Sequence, residues 1–204
     1  YARALTSLDE AIRLDPASDA AFEQRGAVRY NWADWRRQFG EDPEPMLRMA
    51  LDDCERAVRL NSARQWNWGK LGEVRIMLAE VRRGRQQEVS SLYDDAVAAL
   101  DKAVKLAPEN HLLAEKLGVA RLGQGDTRRA DGRDPSSSYE AAIDCFDTSL
   151  RLFGRNVRAF EGRGMARVGQ AMWIERSGGG ITDLCRTAQD DFTKGIAIQE
   201  MPSL

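Results

Sequence analysis

The chain has 204 residues, with 30 Lys+Arg against 32 Asp+Glu and a formal net charge of -2. Apolar residues make up 43% and charged residues 30%, which excludes a disordered tail. No uncharged apolar run approaches the roughly 20 residues of a membrane helix. The near-neutral balance argues against a generally basic nucleic-acid binder and leaves local patches open. A single histidine, His111, excludes mechanisms that need two, including the common zinc hydrolase sites. Cys54, Cys145 and Cys185 are odd in number, far apart and without CxxC spacing. They suggest neither a disulfide framework nor a metal site, and they fit a reducing, cytoplasmic compartment. No catalytic constellation and no cofactor is expected.

In chain order, residues 1–16 read as the second helix of a unit whose first helix is absent, so the chain reads as a fragment of a longer protein. Four full units follow, at 17–62, 63–108, 109–154 and 155–200, with 201–204 as a tail. The units share a period of 46 residues, which spaces Leu14, Leu60, Leu106, Leu152 and Ile198. Ala4, Ala50, Ala96, Ala142 and Ala188 keep the same phase, as do Gly26, Gly72, Gly118 and Gly164. Arg29, Arg75, Arg121 and Arg167 form a further column, and Tyr1, Tyr93 and Tyr139 another, interrupted by Leu47 and Cys185.

Glycine inside a helix costs about 1 kcal/mol relative to alanine, so a recurring glycine implies a close approach by another helix. The alanine column on the second helix is the expected partner. Phe22, Trp68 and Phe160 on first helices, and Leu8, Leu100, Phe146 and Phe192 on second helices, complete an amphipathic seam. Each unit is therefore predicted to be a helical hairpin.

The order aromatic, Gly, Ala, aromatic or Leu, Ala and Pro resembles the tetratricopeptide repeat, with Phe22, Gly26, Ala50, Cys54, Ala57 and Ser62 in those places in the first full unit. Ala114, Gly118, Ala142, Phe146, Ser149 and Gly154 hold them in the third, and Pro16 and Pro108 separate units. The resemblance spans the chain. It implies an all-α, right-handed helical solenoid of antiparallel hairpins that acts as a scaffold for a protein or peptide partner. The period departs from the family's 34 residues. The extra residues lie between the Gly and Ala columns. Trp35, Val81 and Trp173, with Met46, Leu92 and Leu184, keep them in phase, so both helices are predicted to run on, the first to about 20 residues or about 30 Å. Thr127 and Ser138 break those columns, and the third tip, Asp126 to Ser138, is predicted to be the longest and most mobile.

The resemblance also implies a concave face lined by first helices, here Glu23, Ala27, Tyr30, Trp66, Glu73, Ile76, Glu115, Val119, Leu122, Glu161, Met165 and Val168, with Lys70 and Lys116 beside it. Trp66 is the leading anchor candidate. The Lys and Asn places of the family's carboxylate-clamp subset hold Glu23, Gly69, Glu115 and Glu161, which tells against acidic C-terminal tails. Arg36-Arg37, Arg82-Arg83 and Arg128-Arg129, joined by Arg85 and Arg133, could form a basic edge for nucleic acid or another anionic partner; complementing the helix dipole explains them equally. Arg29, Arg75, Arg121 and Arg167 could form a phosphate ladder, but pairing with Asp52, Asp144 and Asp190 is the favoured account. Gly178-Gly179-Gly180 lacks the GK[ST] ending of a phosphate loop and reads as a tip. Ser136 to Ser138 read as capping residues, Cys54 and Cys145 as buried fillers, and His111 as a surface residue. A regulatory segment of a larger enzyme is the third functional reading.

Overall fold

The structure, a computed structural model, describes residues 1–200, so the tail at 201–204 lies outside the described residues. Of the described residues 81% are helical, and none is in a strand. The helices are α1 (Ala2–Leu14), α2 (Asp19–Gln38), α3 (Glu44–Leu60), α4 (Gln65–Gly84), α5 (Ser90–Leu106), α6 (His111–Ala130), α7 (Ser136–Leu152), α8 (Val157–Arg176) and α9 (Thr182–Gln199). Each of α2, α4, α6 and α8 has 20 residues, and their starts at 19, 65, 111 and 157 are 46 apart. The period of the sequence is thus the period of the helices.

The chain divides into two compact units, Tyr1–Leu106 with α1 to α5 and Ala107–Leu204 with α6 to α9. Within the second, Gly118 faces Phe146 and Gly125 faces Tyr139, so α6 and α7 run antiparallel. The first unit buries Ala50, Cys54, Leu71, Val74 and Ala99 in one cluster and Ala33, Leu47, Met77 and Leu78 in another. The second is built around Leu122, Tyr139, Ala142, Phe146, Ala159 and Ala166.

The glycine column makes its close approach to a different partner from the one expected. A Cβ at Gly72, Gly118 or Gly164 would collide with the side chain of Leu100, Phe146 or Phe192, not with the alanine column. Only Gly26, opposite the smaller Cys54, approaches backbone, the Ala50 carbonyl. The glycines are sockets for large side chains. Ala50, Ala96, Ala142 and Ala188 are fully buried one turn away and keep the hairpins narrow, whereas Ala4 of α1 is exposed.

The third tip also departs from expectation. All four hairpins turn in five residues, 39–43, 85–89, 131–135 and 177–181. The third insert stays packed through satisfied polar atoms. Thr127 Oγ1 donates to the Gly123 carbonyl, and Ser138 Oγ donates to Gln124 Oε1. Pro135 is fully buried. The helix is capped by Asp134 Oδ1, which accepts from the Ser136 amide, rather than by the serines. Excising Asp131 to Ser137 is therefore expected to lower the melting temperature by several degrees, because it removes Pro135 and the start of α7; an unchanged melt would show that the tip is dispensable.

Each tip closes with the same αL residue. Gly40, Gln86, Gly132 and Gly178 have φ of 74°, 58°, 72° and 75°. The following amide reaches back to the carbonyl of Arg36, Arg82, Arg128 or Ile174, as in a Schellman cap. Gln86 carries a side chain where glycine is unstrained. Gln86→Gly is expected to stabilise the first unit by about 1 kcal/mol, read as a higher urea midpoint.

Candidate functional site

The outer face of the first helices is set by their hairpins, since the inner face is committed to the sockets. In the first unit this face carries Glu23, Ala27 and Tyr30 of α2 beside Lys70 and Glu73 of α4, all half-buried. Lys70 Nζ lies 2.5 Å from Glu73 Oε2 and 5.1 Å from the centre of the Tyr30 ring. Burial pushes the Glu23 carboxyl above the usual carboxylate range, and the Lys70 ammonium only partly offsets it. Burial likewise lowers Lys70. Glu80, one turn on from Ile76, is pushed up by burial against the pull of Arg37. The face is thus a half-desolvated acidic strip with Tyr30 packed under it. Trp66, at the start of α4, is 46% exposed.

In the second unit the expected residues separate. Glu115 is buried, and its Oε2 accepts from Asn156 Nδ2 at 2.8 Å, so it is a structural acid closed to a partner. Leu122 of this unit and Ile76 of the first are buried as core residues, not groove anchors. Lys116 is half-buried, while Glu161, Met165 and Val168 of α8 are exposed. Met172, also exposed, was missed because its counterparts Asp34, Glu80 and Asp126 are acidic; its spacing of seven from Met165 was the available signal.

The arginine edge is largely paired. Arg36 lies 3.4 Å from Glu41, Arg37 2.8 Å from Asp34 and Arg82 3.0 Å from Glu44. Glu44 also holds Arg48 and Arg85, and the Arg48 guanidinium first, then that of Arg82, draws its carboxyl below the usual range. Arg83 stands 5.9 Å from the centre of the Tyr93 ring. Arg129 Nε donates to Tyr139 Oη, which itself donates to Asp126. Burial and the Asp126 carboxylate push the Tyr139 phenol up to about 12. Arg133 pairs with Asp131, and Arg128 is half-buried.

The arginine column is structural, but its acids are not those expected. Arg29 pairs with Asp53 and Arg167 with Asp191, while Arg75 lies 3.4 Å from Glu55. Arg29, Arg75 and Arg167 also donate to the carbonyls of Met49, Asp95 and Thr187, each 20 residues on in sequence and so in step with the repeat. Asp52, Asp144 and Asp190 lie one position off that geometry. His111 is not a surface residue; its ring is half-buried, 4.8 Å from Phe153. Cys54 is buried, which pushes its thiol up to about 12, while Cys145 is half-buried and Cys185 exposed. Among the described residues no group of three or more His, Cys, Asp or Glu could hold a metal ion, and no helix is long and apolar enough to cross a membrane.

This architecture, hairpin after hairpin with a glycine socket in each, is a tetratricopeptide-like helical repeat fold. Solved structures agree. MamA 41-end from Desulfovibrio magneticus RS-1 is similar with a TM-score of 0.64 at 17% identity, over 96% of this chain and 83% of that one. A crystal structure of MamA protein gives 0.60 at 14% identity, over 98% and 86%. The human IFIT1 dimer with m7Gppp-AAAA gives 0.56 at 15% identity, over 97% of this chain and 39% of that one. At these identities the likeness shows the fold alone. No protein-family model and no curated protein sequence matches the chain.

Proposed function

We propose that the chain is a non-catalytic protein-interaction module that takes a peptide or helix of a partner on the outer face of the first helices within one of its units, in a reducing, cytoplasmic compartment. The observation that carries this reading is the exposure of large apolar side chains there. Trp66, Met165 and Val168 stand open on helices whose opposite faces are fully packed. Exposed aromatic and Met side chains beside ordered charges are the composition of recognition surfaces.

Peptides selected from a random library against the whole chain test it. Trp66→Ala is expected to weaken the selected peptides at least tenfold and to change the melting temperature only slightly. Peptides indifferent to Trp66, or a variant that melts many degrees lower, would count against the reading.

Nucleic acid through the arginine edge is the second reading. The IFIT1 structure holds m7Gppp-AAAA, but in this chain much of the charge of the arginine edge is spent on Glu41, Asp34 and Glu44. Arg128→Ala with Arg133→Ala is expected to leave peptide affinity within about twofold. A steep fall of binding with salt, on the order of one counterion released per arginine contact, would instead favour the edge.

A further inference from the structure

We draw no further inference here: the strongest candidate, the strip of half-buried carboxylates Glu23, Glu73 and Glu80 along α2 and α4, is an acidic cluster already faced by Lys70 and Arg37, and nothing in the structure points to a ligand for it.

Discussion

Gly118→Leu is expected to cost the second unit about 3 kcal/mol or more, enough to move its urea midpoint by a readily measured amount. A Cβ at Gly118 would lie 2.7 Å from Phe146 Cε1. The ring cannot swing aside, because on its other side it meets Gly162 of α8. Overpacking a filled core costs about 1–3 kcal/mol through off-rotamer side chains and backbone shifts, and more where nothing can yield. Gly72→Leu should behave alike, since a Cβ there collides with Leu100. Gly84, at the end of α4, is the control. Nothing lies within 4 Å of its Cβ position, so Gly84→Ala should be neutral or stabilise by up to about 1 kcal/mol. Equal midpoints for Gly118→Leu and Gly84→Ala would mean that the glycine column is not a socket.

The socket shows how far the sequence could be read. A glycine recurring every 46 residues announces a close approach, and the helix class, hairpin count and boundaries all follow from such columns. The identity of the partner does not. Ala50 and Cys54 are one helical turn apart, so periodicity cannot say which faces Gly26, and only the crossing of the two helices decides it. The same limit explains the acids of the arginine column. Asp52 and Asp53 are adjacent, and a difference of about 100° around the helix separates an exposed carboxylate from a buried one. The third tip departs from its composition for a different reason. Thr127 and Ser138 look like lost apolar contacts, yet each is buried with its hydroxyl satisfied, which composition does not record. For the candidate site, exposure was the missing quantity. Glu115 and Glu161 occupy one column, but Asn156 closes over the first and nothing described covers the second.

Asp53→Ala is expected to cost about 3 kcal/mol or more, whereas Arg25→Leu with Asp53→Ala together should return stability to within about 1 kcal/mol of the parent. Asp53 is almost fully buried and takes both Arg25, at 2.6 Å, and Arg29, at 2.5 Å; Arg25 also reaches Asp9 of α1. Removing one partner of a buried pair leaves uncompensated charge, while replacing the pair by packed apolar groups is often neutral. The chain itself contains the replacement. One period on, the positions of Arg25 and Asp53 hold Leu71 and Ala99, both buried in one cluster. There Arg75, the counterpart of Arg29, keeps its bond to the Asp95 carbonyl without an aspartate at the equivalent place. Arg29 retains the matching bond to Met49. The last hairpin repeats the ionic version with Arg163, Arg167 and Asp191. A double-mutant cycle in urea measures the difference. A coupling of about 2 kcal/mol or more is expected between positions 25 and 53. If the double variant were as unstable as Asp53→Ala alone, the two arrangements would not be interchangeable, and the loss would lie in the freed Arg29 or in the contact of Arg25 with α1.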